Sequence, residues 1–150
     1  DFPREGNGWS YKYARRQWNL VENKELDYHY LGDFDKAMIS VRKSEKELQK
    51  KPVVEIWHND GDQVLAFMRG DLIFVFNFNP TRSFTDYGFL VPTGSYDVVL
   101  NTDAKEFGGN GLADDTITHT TNYDPLYVAD HKEWLKLYIP ARSAVVLKKN

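Results

Sequence analysis

Hydrophobic residues recur along this chain with two different periods, and the change between them falls at Pro52. Before it, Leu31, Phe34, Met38 and Val41 are spaced by three, four and three, which places them on one face of a helix. Asn23 has the side chain to begin that helix, and Gly32 predicts a kink or a break into two helices. Ser44-Glu45-Lys46-Glu47 has capping-box spacing and predicts a short last helix. Pro52 disfavours helix at the residue before it and ends the pattern.

From Val53 the period is two. Val53–Trp57 reads as a strand, followed by a turn at Asn59-Asp60-Gly61-Asp62. Gln63–Arg69 is the next strand, and Gly70-Asp71 turns again. Leu72–Phe78 puts Leu72, Phe74, Phe76 and Phe78 on one face and Ile73 and Val75 on the other. That predicts a central strand buried on both sides, ended by Pro80. Pro92 and Gly94 mark a turn before a strand at Tyr96–Leu100, and Trp134–Ile139 and Ala144–Lys148 are further strands. Short strands between turn signals predict an antiparallel β-sandwich preceded by helices. Residues 101–130 are the least patterned: Gly108, Gly109 and Gly111 mark a flexible or tightly turned loop, and Ile117–Thr121 is a possible extra strand.

Composition narrows the function. A chain of 150 residues that is 41% hydrophobic and 15% aromatic folds around a core. The net charge is −3 with acids and bases interspersed, so no basic block exists to neutralise a row of phosphates, and nucleic acid is not an expected partner. No run of eighteen apolar residues and no charged leader pattern occurs, so no membrane partner is expected. Cysteine is absent, which fits a reducing compartment; a cytoplasmic location is the expectation. The first residue is Asp1 rather than Met, which reads as a boundary within a longer protein or a processed end.

Several pieces together carry a resemblance. DFPREGN at Asp1–Asn7 and SYKYARRQW at Ser10–Trp18 are followed by Leu31, Phe34-Asp35 and Met38 in fixed spacing. Then come RGDLIFVFNFNP at Arg69–Pro80, FTDY at Phe84–Tyr87, LNTDAKEFGG at Leu100–Gly109 and YIPARSAVVL at Tyr138–Leu147. In that order the chain resembles the C-terminal end of the glycogen (1,4-α-glucan) branching enzymes of the α-amylase clan. Asp114–His131 is the stretch least like that family. The resemblance implies a mainly β fold, an antiparallel sandwich of the α-amylase C-terminal type, preceded by helices from the end of a (β/α)8 barrel. It implies that residues 1–51 are the last loop and helices of that barrel and residues 53–150 the sandwich. It implies a glycosyltransferase of glycogen biosynthesis that moves a cut α-1,4-glucan segment onto a 6-hydroxyl, making an α-1,6 branch.

Such chemistry is a retaining double displacement using two carboxyl groups about 5–5.5 Å apart. The family's catalytic acids belong to motifs not found here, so the chain alone is expected to be inert and to depend on a catalytic barrel of the same polypeptide. No redox cofactor and no metal is implied. The implied partner is an α-glucan, glycogen or starch-like. A stand-alone carbohydrate-binding module and the C-terminal domain of a related α-glucan hydrolase are the alternatives.

Individual residues weigh less. The resemblance places Arg4 and Asn7 at the barrel face where active sites are built, able to hydrogen-bond sugar hydroxyls; bracing of the loop is the leading reading for Arg4. Trp9, Trp18, Trp57 and Trp134 are candidate stacking platforms for sugar rings. Packing is favoured for all four, and Trp57, before a turn, is the best placed for carbohydrate. Tyr11 and Arg15, four apart, are set to stack, and residues 9–20 are expected to dock on the sandwich or a second copy. His29, His58, His119 and His131 share no ligand spacing, and His131 beside Asp130 suggests an ion pair rather than a metal. The loop with Asp60 and Asp62 is too short for a calcium-binding hand, and Asp114-Asp115 reads as a solvated loop. The glycines at 108, 109 and 111 lack a phosphate loop's setting.

Overall fold

A computed structural model describes residues 18–46 and 48–150. Helix α1 (Trp18–Glu22) lies across α2 (Tyr28–Ser44), and Gly32 is the crossing point. A Cβ at Gly32 would stand 2.7 Å from Cγ1 of Val21, so glycine lets the helices approach closely. α2 is continuous through Gly32, so the expected break into two helices is absent. Asn23 does not start α2. Its backbone N–H closes α1 onto Asn19 O, its side chain accepts from the Glu25 N–H, and Asp27 precedes the first turn of α2.

The expected helical stripe is also split. The Phe34 ring meets Phe107 edge-on at 5.4 Å between centroids, and Val41 faces the groove over the sandwich. Leu31 and Met38 stay exposed, at 71% and 46%. The side that packs is Tyr30, Phe34, Ala37 and Val41, spaced by four, three and four. Nor does the expected capping box start a helix: Ser44 is the last residue of α2, and its hydroxyl donates to Val41 O at 2.9 Å. Glu47 lies outside the described residues, and a single 3-10 turn at Leu48–Lys50 comes after it. Two side chains of the β structure, Arg69 and Lys148, fix this end. Arg69 donates to the carbonyls of Lys51 and Gln49, and Lys148 pairs with Glu45 at 2.5 Å.

Among the described residues eight strands come next: β1 (Val53–Asn59), β2 (Val64–Arg69), β3 (Leu72–Asn77), β4 (Phe84–Pro92), β5 (Ser95–Asn101), β6 (His119–Thr120), β7 (Lys132–Ile139) and β8 (Ser143–Lys149). They form an antiparallel six-stranded sheet in the order β1-β2-β3-β8-β5-β6, and a two-stranded sheet of β4 and β7. The core lies between the sheets. Val64, Ala66, Ile73, Val75 and Leu147 meet Phe89, Val91, Leu135, Leu137 and Ile139 there, with Tyr96 buried among them. Each large side chain taken from water in this way contributes about 1.5–3 kcal/mol. The Tyr96 hydroxyl donates to Pro92 O, and burial pushes its ionisation up to about 12.

β3 is central, but its two faces differ. Ile73 and Val75 point into the core at 0% and 1% exposure. Phe74 and Phe76 point the other way, onto a ladder with Phe67 and Phe78 whose neighbouring centroids are 4.8, 5.9 and 5.5 Å apart. That outer face is covered only in part, and Phe78, beyond the strand's end, is 62% exposed.

β4 has no counterpart in the simple alternation of the sequence. A register shift between Phe84 and Tyr87, with Asp86 at φ 52°, breaks its period. Gly88 then leaves room for the Trp134 ring, which would stand 3.1 Å from a Cβ there.

Two loops leave the sheet by the same device. Asn77 ends β3, and its side-chain oxygen accepts from the Asn79 N–H at 3.0 Å. Asn101 ends β5, and its oxygen accepts from the Asp103 N–H at 2.9 Å. In each loop a second polar side chain then caps further backbone N–H groups: Asn79 takes those of Thr81 and Arg82, and Asp103 takes those of Asn110 and Leu112. The Asp103 loop is tightly turned, because a Cβ at Gly109 would lie 2.2 Å from the Asp103 carbonyl group. Of the segment expected as a strand at Ile117–Thr121, only His119–Thr120 pairs, against β5. Asp130 and His131 form no ion pair; His131, at φ 52°, donates its backbone N–H to Val128 O.

Candidate functional site

Arg4 and Asn7, and with them Trp9, Tyr11 and Arg15, lie outside the described residues. Trp57 is therefore the predicted site residue that can be followed. It sits on β1, an edge strand, opposite Ala66. A bulge between Glu55 and Trp57 leaves Ile56 without a partner in the ladder, so Ile56 packs on the core and Trp57 also turns to the inner side. The indole then closes the open edge of the sandwich. Its Nε1–H donates to the Tyr87 hydroxyl at 3.2 Å, and Tyr87 donates to Oδ2 of Asp62 at 3.0 Å. Asp62 also takes Arg82 Nη1 at 3.4 Å, and the Arg82 guanidinium stands 4.8 Å over the Phe84 ring.

This chain of contacts joins both sheets through β1, the turn after it, and β4. The turn is built as expected: the Asn59 side chain accepts from the Asp62 N–H at 2.9 Å. Burial pushes the Tyr87 hydroxyl above the usual phenol range; the Trp57 and Asn59 contacts oppose this, and the Asp62 carboxylate reinforces it. The phenol stays protonated, as its donation to Asp62 requires. The indole keeps 44% of its surface exposed. Packing and accessibility thus coexist at Trp57, for which the sequence favours packing while making it the best-placed indole for carbohydrate.

The other indoles differ. Trp134 lies against Gly88, meets Tyr127 edge-on and donates Nε1–H to Asp124 at 2.9 Å, so it holds the 122–131 loop to β7. It is the third residue of its strand rather than the first. Trp18 is 62% exposed on α1.

The histidines occupy four unrelated places. His29 contacts Leu26 O at 2.6 Å, and His58 pairs with Glu55 at 2.7 Å on the exposed face of β1. The contact with Glu55 raises the His58 imidazole above its usual value, while burial lowers that of His119. Among the described residues no three His, Asp or Glu side chains converge as metal ligands would. No helix among them is long and apolar enough to cross a membrane.

Among the described residues, two of the concavities bound the sandwich core and its outer face. An apolar groove runs between α2 and the outer face of the six-stranded sheet, over Met38, Val41, Val53, Phe67, Phe74 and Val146. A cavity of about 290 Å³ lies at the end of the sandwich, between Leu137, Val145 and Leu147 and the loop of Leu112, Asp115 and Ile117. The groove has no sequence signature beyond period two, because both faces of β3 read as apolar.

Comparison with known proteins locates this architecture. Residues 56–150 match the family described as "Alpha amylase, C-terminal all-beta domain". The 1,4-alpha-glucan-branching enzyme of Rhizophagus irregularis is 42% identical over 149 residues, covering 98% of this chain and 21% of the relative. That of Saccharomyces cerevisiae is 41% identical over 148 residues, with the same two coverages. The solved structure titled "Crystal structure of alpha-amylase from H.orenii" is similar at a TM-score of 0.46 and 19% identity, over 89% of this chain and 22% of that one. The chain spans about a fifth of the length of the curated relatives it matches. With an antiparallel two-sheet fold and a family match across residues 56–150, the chain belongs to the alpha amylase, C-terminal all-beta domain family.

Proposed function

We propose that this chain is the C-terminal part of a 1,4-α-glucan branching enzyme and that its sandwich braces a catalytic (β/α)8 barrel. On this reading residues 1–51 are the last loop and helices of the barrel, and residues 53–150 are the supporting domain. The whole protein cuts an α-1,4-glucan and rejoins the piece through a 6-hydroxyl in glycogen biosynthesis, in the cytoplasm, without a redox cofactor or metal. One observation carries the reading: similarity to branching enzymes covers 98% of the chain, so it extends well before residue 56, where the all-β family match begins. A likeness limited to the sandwich would fit a hydrolase domain equally well.

The exposed surface supports the bracing role. Leu31, Met38 and Ile39 on α2, with Val53 and Phe78 on the sheet side, are all at least 44% exposed. A neighbouring domain would cover such residues.

The reaction needs two carboxyl groups about 5–5.5 Å apart, which the reading assigns to the barrel. Incubated with amylose, the full-length protein should yield α-1,6 linkages measurable after debranching, and this chain alone should yield none. Full-length protein that only shortens amylose would sink the transferase reading and leave the hydrolase one.

A further inference from the structure

We infer that Trp57, held by Tyr87 and Asp62, is an accessory binding platform for α-glucan chains on the sandwich edge. The inference rests on the branching-enzyme reading for the identity of the glucan, and on the local geometry for the platform itself.

Three observations converge. First, the indole is both exposed and fixed. Its only polar atom donates to Tyr87 at 3.2 Å, and Tyr87 is tied to Asp62 at 3.0 Å, yet 44% of the residue remains open. The ring surface left to solvent is therefore carbon, the kind of surface that the C–H face of a pyranose covers. Because the ring is already held, little side-chain freedom is lost on binding. Second, the surroundings are polar. The turn after β1 presents Asp60, and the start of β4 presents Thr85 and Asp86, all exposed, with Arg82 nearby on Asp62. A fixed aromatic ring bordered by groups that can bind hydroxyls suits a sugar better than a protein partner, which requires a larger continuous apolar patch. Third, the site lies on the inner side of edge strand β1, whereas the α2 groove lies on the outer face of the sheet. A domain covering that groove would meet the face of the sheet opposite Trp57.

The test uses this chain and two probes, glycogen and maltoheptaose. In native gels containing glycogen, the wild-type chain should be retarded, and Trp57→Ala should weaken binding about tenfold. Tyr87→Phe, which removes the hydroxyl between Trp57 and Asp62, should fall between them. A second measurement does not depend on any variant folding. N-bromosuccinimide oxidation of Trp57 in the wild-type chain, read by peptide mass, should slow when maltoheptaose is added and not when cellohexaose is added.

Unchanged retardation of Trp57→Ala would overturn the platform, as would oxidation of Trp57 at the same rate with and without maltoheptaose. Absence of retardation in the wild-type chain would overturn the platform while leaving the branching-enzyme reading to its own product assay. Protection by cellohexaose alone would overturn the assignment to α-glucans.

Discussion

The loops after β3 and β5 are two versions of one construction, and they differ in what the Asn amide meets. At Asn77 the Nδ2 group lies 2.9, 3.1 and 3.0 Å from the carbonyls of Arg82, Ile139 and Pro140, all backbone. At Asn101 it donates to the Asp115 carboxylate at 2.6 Å. The first arrangement ties three chain segments together through groups that no substitution removes, and Asn77 is 1% exposed. The second depends on one side chain in a half-buried loop. A strand-ending Asn thus acts as a permanent junction in one place and as a replaceable latch in the other.

Replacing either Asn by Asp separates the two, because Asp keeps the oxygen that accepts from the residue two positions on and loses only the donor. Asn77→Asp should have the largest effect, a loss of about 4 kcal/mol, since a buried carboxylate would then face three carbonyls. Urea unfolding monitored by tryptophan fluorescence measures it; a loss as small as that at Asn101 would remove the distinction. Asn101→Asp should cost about 2 kcal/mol, because the loop can turn the charge toward water. Adding Asp115→Asn to Asn101→Asp exchanges donor and acceptor and should recover most of that loss. Failure to recover would mean that the latch needs the original orientation.

The smallest effect concerns pH. His119 lines the same end cavity as Asn101 and Asp115, and burial lowers its pKa, while the nearby Asp97 opposes the shift. As pH falls below the ordinary histidine value of 6.5, the unfolded chain takes up a proton that the folded chain resists. Its neutral state therefore supports the fold above that value, and the support declines below it. Calorimetry should show the Tm of the wild type falling by about 1–2 °C more on mild acidification than that of His119→Gln, a comparison in which the opposite contribution of His58 is common to both. The β3 loop has no comparable group among its bonded partners.

The same contrast explains what could be read in advance. β3 was legible as a central strand because Leu72–Phe76 is an unbroken apolar run between turn signals, but which face meets the core was not. Phe74 and Phe76 are as apolar as Ile73 and Val75, and only the position of β4 and β7 decides. β4 was not legible because Asp86, Gly88 and Pro92 interrupt its pattern, and Gly88 answers a non-local demand, the Trp134 ring. The α2 pattern gave the helix but mixed two sides, since Leu31 and Met38 are apolar and yet exposed. At the site, Trp57 was visible as an indole before a turn. Its partners Tyr87 and Asp62 lie 30 and 5 residues away, and pairing them requires knowing that β1 and β4 meet at an edge. The repeat Asn-x-Asn at Asn77–Asn79 and Asn-x-Asp at Asn101–Asp103 was a usable signal for the loops, since each comes after an apolar run.

The position of β8 carries one more consequence. It lies between β3 and β5, so it is the strand that joins β1-β2-β3 to β5-β6. During synthesis those two parts have no edge in common until Ser143–Lys149 leaves the ribosome. The β1-β2-β3 meander can form as it emerges, but sheet closure waits for β8, and a nascent chain stalled before it would expose the flanks of β3 and β5 to chaperones.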